Sequence, residues 1–175
     1  MKIVLCCLLL ASLFFTGQSI DDSAQSFRII PIPAREYVYS YFKSTVIMSQ
    51  KDLDSFLADT TSRRVPMNKT RSFEGALINA KLDFSKEALV LLRHTENSGS
   101  VHVAFEMPVL RDRTLHCEIN GKPIPPGYGG TGDMAYYCYA VAVSKAHVSK
   151  VELQAVQGGF SARRLAPIVL PITDK

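Results

Sequence analysis

Short motifs that carry enzyme chemistry are missing from this sequence. Its 175 residues contain no Gly-x-Ser-x-Gly, no His-Glu-x-x-His and no Cys-x-x-Cys, the patterns of hydrolase nucleophiles, zinc proteases and dithiol redox sites. His116 directly precedes Cys117, but neighbouring residues of a strand face opposite sides of a sheet, so the two side chains cannot act together. We therefore expect a protein that is not an enzyme and has no cofactor.

A strong charge of one sign is also missing. The formal net charge of the whole chain is only +4. The basic residues are scattered, in pairs such as Arg63 and Arg64, Arg111 and Arg113, and Arg163 and Arg164. A small and dispersed surplus argues against a nucleic-acid partner.

Long hydrophobic runs are scarce, and the one that stands out is at the N-terminus. Lys2 supplies a positive start, Ile3–Phe15 is almost wholly apolar, and Thr16–Ser19 is small and polar. This pattern is typical of a secretory signal and is too short for a stable membrane span. We expect residues 1–19 to be a signal peptide cut before Ile20, and the mature protein to be secreted or periplasmic, with no stable membrane insertion.

Cysteine is scarce, with four in the chain. Cys6 and Cys7 lie within the predicted signal peptide, so Cys117 and Cys138 remain in the mature protein. Two cysteines outside the cytoplasm most often pair. Because these two flank a loop almost symmetrically, we expect a Cys117–Cys138 disulfide. Two buried free thiols are the alternative.

The remaining chain predicts an α+β fold. Ser49 followed by Asp52 is typical of a helix N-terminus, and the apolar spacing after it predicts a helix over residues 50–59. The apolar run Ala88–Leu92 predicts a buried strand, and the segment Tyr136–Val143, which is apolar on both faces, predicts a central strand. We expect one antiparallel sheet of about five or six strands with one or two helices packed on one face.

One domain accounts for most of the mature sequence. We expect residues 20–42 to form an N-terminal extended segment, in which the alternation of Tyr37, Tyr39 and Tyr41 predicts an edge strand with a tyrosine stripe. Residues 43–175 are expected to form a single globular domain with a C-terminal tail. The stripe is either a binding surface or the half-buried face of the strand.

A loop rich in glycine and proline separates two predicted strands. Asn120–Asp133 contains five glycines and three prolines, without the Gly-Lys-Ser/Thr ending of a phosphate-binding loop. Loops of this length are often functional. We interpret it either as a passive connection or as a recognition loop in which Tyr128 is the anchor. The supporting binding candidates in the second interpretation are Pro125, Pro126, Gly127, Gly129 and Gly130.

Two histidines are weak metal candidates. If the turn lies at Met107–Arg111, His102 and His116 face each other across a hairpin. A closed zinc or copper site needs three or four ligands, for which Glu106 and Glu118 are the nearest candidates. We expect polar residues on the solvent side of a sheet and no metal. Asn68 begins a glycosylation sequon that matters only in a eukaryotic source.

Two short motifs resemble a known family. An Asp-Phe-Ser-Lys segment, Asp83–Lys86, precedes the apolar strand, and a glycine-containing turn, Asn97–Val101, precedes the next one. Over roughly residues 45–153 the chain resembles the C-terminal domain family of the protease complex subunit PrcB. The resemblance implies a non-enzymatic accessory or binding role and a bacterial source.

These observations favour a secreted, non-enzymatic binding or accessory protein. Its expected partner is another extracytoplasmic protein, such as a protease complex. A protease inhibitor that uses an exposed loop is the first alternative. A small secreted hydrolase or a metal-binding protein is a more distant one.

Overall fold

The computed structural model describes residues 26–63 and 73–173. The predicted signal peptide with Cys6 and Cys7, and the sequon at Asn68, lie outside these ranges. In the described residues there are two α-helices, α1 (Gln50–Ser62) and α2 (Phe73–Asn79), and a 3-10 helix at Tyr37–Tyr41. The ten strands are β1 (Phe27–Ile30), β2 (Thr45–Ile47), β3 (Glu87–Glu96), β4 (Val103–Phe105), β5 (Val109–Arg111), β6 (Thr114–Gly121), β7 (Ala135–Ser144), β8 (Lys150–Gln157), β9 (Arg163–Arg164) and β10 (Ile168–Pro171).

The strands form two sheets. The first sheet has the order β1-β7-β3-β2 and is antiparallel throughout. The second sheet has the order β10-β8-β6-β4, with β5 also paired to β6 and β9 to β8. Its β6–β8 pair is parallel, while its other pairs are antiparallel. The α+β class is therefore confirmed, and the strands that were expected in one sheet are divided between sheets of four and six.

The first sheet is the middle layer of the molecule. Alternate residues of β3 and β7 face the second sheet, and the intervening ones face the helices. The inter-sheet core contains Ala88, Val90, Leu92, Val141 and Val143 from the first sheet and Leu115, Cys117, Ile119, Val151, Leu153 and Ala155 from the second. The helix-side core contains Leu89, Leu91, Cys138, Ala140 and Ala142 with Leu53, Phe73 and Leu77 of the helices. Because β7 is buried on both faces, its prediction as a central strand is confirmed.

Helix α1 begins where the sequence predicted. The Ser49 hydroxyl accepts a hydrogen bond from the Asp52 amide at 3.1 Å and donates one to the Asp52 carboxylate at 2.8 Å. These bonds satisfy an amide that the first helical turn leaves free. The helix continues to Ser62, three residues beyond the predicted end. No described helix is long and apolar enough to cross a membrane.

The predicted edge strand at residues 36–42 is wrong. Tyr37–Tyr41 is a 3-10 helix, and the edge strand of this N-terminal segment is β1, which pairs with β7. Val38 and Tyr39 are neighbours, and both are buried in the helix-side core. A strand would send them to opposite faces, whereas a tight helical turn brings both inward. The Tyr39 hydroxyl is satisfied by donating to the Pro33 carbonyl.

Candidate functional site

The predicted disulfide is not formed. Cys117 and Cys138 are both free and buried. Cys117 lies on β6 in the inter-sheet core, while Cys138 lies on β7 in the helix-side core. The prediction was wrong because it treated the two strands as neighbours in one sheet, although they belong to different sheets. The first sheet therefore lies between the two thiols.

The two candidate metal-binding histidines do not meet. The hairpin turns at Asp112 and Arg113, both with positive φ, so His116 is paired with Val109. His102 lies beside the far end of β6, where its carbonyl accepts a hydrogen bond from the Lys122 amide at 2.8 Å. His116 instead approaches Glu152 at 3.8 Å. Residues 26–63 and 73–173 contain no group of three His, Cys, Asp or Glu side chains that could hold a metal ion.

The Gly/Pro loop crosses between the sheets. It leaves β6 of the second sheet after Gly121 and enters β7 of the first sheet at Ala135. Packed sheets lie about 10 Å apart, so a two-residue hairpin turn cannot make this connection. Together with the segments at residues 97–101 and 158–162, the loop residues 122–134 form one end of the sandwich. We call these three segments the loop end.

The tip of the loop is a tight turn that presents Tyr128. The Tyr128 amide donates to the Pro125 carbonyl at 3.2 Å, and Gly127 has φ +86°. Pro126 followed by a glycine with positive φ is the sequence of a type II turn. The candidate binding residues Pro125, Pro126, Gly127, Tyr128, Gly129 and Gly130 are all exposed.

Polar contacts fix both limbs of the loop near its base. On the first limb, the Ile124 amide donates to the Gly159 carbonyl at 2.9 Å. On the second, Thr131 is 3.2 Å from the Ser98 hydroxyl, and Arg35 bonds Asp133 at 3.2 Å. The pKa of Asp133 is lowered, first by a hydrogen bond from Thr131, with smaller contributions from backbone amides and the Arg35 charge. The loop is therefore anchored at its base and exposed at its tip.

Several large apolar side chains are exposed at or beside the loop end. Their exposed fractions are 70% for Tyr37, 71% for Tyr128, 52% for Met134 and 75% for Phe160. Met134 and Phe160 were missed by the sequence analysis because each is a single apolar residue in an irregular segment, without periodicity. Tyr37 and Met134 line the same cleft, and Phe160 lies beside Gly130 of the loop. Clustered apolar exposure of this kind marks interaction surfaces.

Tyr37, Met134 and Tyr136 line a cleft beside the loop. The other lining residues are Arg35, Glu36 and Asp133, and the cleft has a volume of about 570 Å³. We call it the tyrosine cleft. Tyr37 belongs to the predicted tyrosine stripe, but Tyr39 is buried in the core, so the stripe does not form a single surface.

A buried polar pair on β3 contacts the loop end at Gly158. His94 and Glu96 of β3 are almost fully buried, and His94 Nε2 lies 2.6 Å from Glu96 Oε1. Both Glu96 oxygens also accept from the Gly158 amide, at 3.1 and 3.0 Å. A Cβ atom at Gly121 would come within 2.1 Å of Glu96 Oε1, so glycine is required there. The pair links the first sheet to the chain that follows β8.

No family model matches this chain, and no match was found among curated proteins or solved structures. The interpretation of the site therefore rests on its geometry and chemistry.

Proposed function

We propose that this is a secreted or periplasmic, non-enzymatic binding protein whose loop end contacts another extracytoplasmic protein. The observation that carries the proposal is the exposure of Tyr128 and Phe160 at the tip and flank of a loop whose base is fixed. Fixing a loop before binding reduces the entropy lost in the complex. Tyrosine is a favoured interface anchor because it offers a large apolar face and one hydroxyl with few rotatable bonds.

The segment at residues 1–19 supports an extracytoplasmic location, and the resemblance over residues 45–153 supports an accessory role. A protease complex is accordingly the kind of partner we propose. The outer face of the second sheet mixes the polar residues His116, Glu118 and Glu152 with the exposed valines Val109 and Val169. Tyr128 and Phe160 at the loop end are larger and more exposed than these valines, so the loop end is the better candidate for a protein contact.

The experiment captures the partner from the native extracytoplasmic fraction, purifies it, and measures its affinity for defined variants. Tyr128→Ala is expected to weaken binding about thirtyfold, corresponding to about 2 kcal/mol. Phe160→Ala should weaken it as well. Met107→Ala is the matched control, since Met107 is 72% exposed but lies between β4 and β5 at the edge of the second sheet. Equal affinity of all four proteins would refute the proposed binding surface.

A loop-based protease inhibitor is the second candidate, favoured by the exposed turn at Pro125–Tyr128. Inhibitors of this kind present an exposed loop that is held at its base. Incubation of the protein with purified serine and cysteine proteases separates the two functions. Inhibition that is lost in Tyr128→Ala would favour the inhibitor, and intact protease activity with retained partner binding would favour the accessory protein.

A further inference from the structure

A second cavity, separate from the tyrosine cleft, lies at the loop end. It has a volume of about 380 Å³, which is within the range of protein ligand sites. All three segments of the loop end contribute to its lining, together with the neighbouring residues Gln157 and Arg163. We call it the loop-end pocket. None of the described residues lines both cavities, so they are distinct.

One part of the loop-end pocket is apolar. Val101 and Ile124 are buried there, with 3% and 8% of their surface exposed, while Phe160 is 75% exposed. A Cβ atom at Gly130 would lie 3.3 Å from Ile124 Cδ1 and 3.4 Å from Phe160 Cε2. The lack of a side chain at Gly130 therefore keeps this part of the pocket open. An aliphatic side chain of a ligand would be removed from water there.

The accessible charge of the loop-end pocket is positive. Arg163 is the charged residue of its described lining, and in the described part of the chain no carboxylate forms an ion pair with it. Two carboxylates lie next to lining residues, and each has its own partner. Asp133 bonds Arg35 at 3.2 Å, and the fully buried Glu96 lies 2.6 Å from His94. A ligand in the pocket therefore meets a guanidinium that is available to bind an anion.

Strand register places Arg163 at the pocket and Arg164 away from it. Arg163 is paired with Gln157, which also lines the pocket, and Arg164 is paired with Val156. Neighbouring residues of a strand face opposite sides of the sheet, so the Arg164 side chain lies on the other face. Lys122, exposed on the first limb of the loop, adds a charge of the same sign as Arg163. The two arginines are therefore a matched pair, of which one can contact a ligand in the pocket.

We propose that the loop-end pocket binds the C-terminal residue of a partner protein. The free carboxylate of that residue bonds the Arg163 guanidinium, and its aliphatic side chain lies in the apolar part of the pocket. A guanidinium binds a carboxylate through two parallel hydrogen bonds, and capture of a chain terminus is a recurring mode of peptide recognition. A C-terminal aliphatic residue carries both groups, whereas an internal acidic residue has no apolar side chain. The inference rests on the proposed function, because it names the part of the partner that is bound.

The test begins with three acetylated tetrapeptides and isothermal titration calorimetry. Ala-Ala-Ala-Leu with a free carboxylate is expected to bind with a dissociation constant of about 100 µM. Its C-terminal amide should bind about tenfold more weakly or not at all, because it lacks the charge that pairs with Arg163. The amide of Ala-Ala-Glu-Leu, which has its carboxylate on a side chain, should be equally weak.

Two variants of the protein, each with a matched control, locate the binding site. Arg163→Gln should weaken the free-acid peptide about tenfold, while Arg164→Gln leaves its affinity unchanged. Gly130→Leu fills the apolar part of the pocket and should abolish binding. Gly129→Leu is its control, because a Cβ atom at Gly129 meets no atom within 4 Å, and neither glycine has a positive φ. Circular dichroism and thermal unfolding confirm that each variant is folded.

Several results would overturn the proposal: equal affinity for the acid and its amide, no binding at about 2 mM peptide, or variants that bind like their matched controls. Binding of the Glu-containing amide as tightly as the free acid would assign the pocket to acidic side chains instead. Tyr128 does not line the pocket, so Tyr128→Ala should leave peptide affinity unchanged. If the peptides fail to bind but Tyr128→Ala still weakens binding of the captured partner, the pocket is refuted and the proposed function is retained.

Discussion

At the scale of single residues, the two cysteines show how burial controls reactivity. Burial raises the pKa of the Cys117 thiol to about 12 and also raises the pKa of Cys138, where the nearby Arg93 charge opposes part of the effect. The thiolate is the reactive form of cysteine. Both side chains therefore behave as small core hydrophobes.

We predict that neither cysteine is alkylated in the folded protein. At about pH 9 an exposed thiol is largely ionised, but the raised pKa values keep these two protonated, and the surrounding core blocks the reagent. Mass spectrometry of the peptides containing Cys117 and Cys138 should show no label after iodoacetamide treatment of the native protein. Both should be labelled after unfolding without a reductant. Absence of label in the unfolded, unreduced protein would reveal a disulfide instead.

At the scale of elements, sequence patterns identified those structures whose determinants are local. The Ser49 cap and the apolar spacing after it predicted α1, and the apolar character of both faces predicted β7 as a central strand. Tyr37–Tyr41 has a period-two pattern, yet packing of Val38 and Tyr39 into one core makes it helical. The division into two sheets was not predictable, since periodicity indicates which face of a strand is buried but not which strand pairs with it.

In the candidate site too, features set by local sequence were predictable and features set by contacts between distant segments were not. The exposure of Tyr128 was predictable, because glycine and proline around it rule out a buried strand. The presence of Tyr37, Phe160 and Met134 near this loop was not predictable, because it depends on which separate segments meet at one end of the sandwich. His94 and Glu96 lie two apart on β3, but their burial depends on Gly121 and Gly158 from other parts of the chain.

The contact between Glu96 and Gly158 joins two elements, β3 of the first sheet and the chain after β8 of the second. We predict that Glu96→Ala lowers the free energy of unfolding by about 3–5 kcal/mol, because His94 and the Gly158 amide lose a partner in a buried site. Glu96→Gln keeps the size and an acceptor oxygen, so it should cost roughly 1–3 kcal/mol. Urea denaturation of both variants measures this difference. Losses below about 1 kcal/mol in both variants would mean that the Glu96 carboxylate does not hold these elements together.

At the scale of the whole molecule, the residues that stabilise the fold and the residues that we propose for recognition lie in different regions. The inter-sheet core and the helix-side core lie on the two faces of the first sheet. Apart from Ile124, which is buried, the Lys122–Asp133 part of the loop is exposed. A Cβ atom at Gly127, Gly129 or Gly132 would meet no atom within 4 Å. The loop tip therefore makes few packing contacts with the rest of the protein.

This separation predicts that the loop tip can be removed without unfolding the protein. Replacing residues 125–130 by Gly-Ser-Gly keeps Ile124 and the contacts of Thr131 and Asp133. A change in loop length of this order alters the closure free energy by less than about 1 kcal/mol, so the melting temperature should move by no more than about 2–4 °C. Thermal unfolding followed by circular dichroism measures this shift, and affinity for the captured partner should be lost in the same variant. A fall in melting temperature above about 10 °C, equivalent to several kcal/mol, would show instead that the tip is part of the folded core and that Tyr128 is exposed for a reason other than recognition.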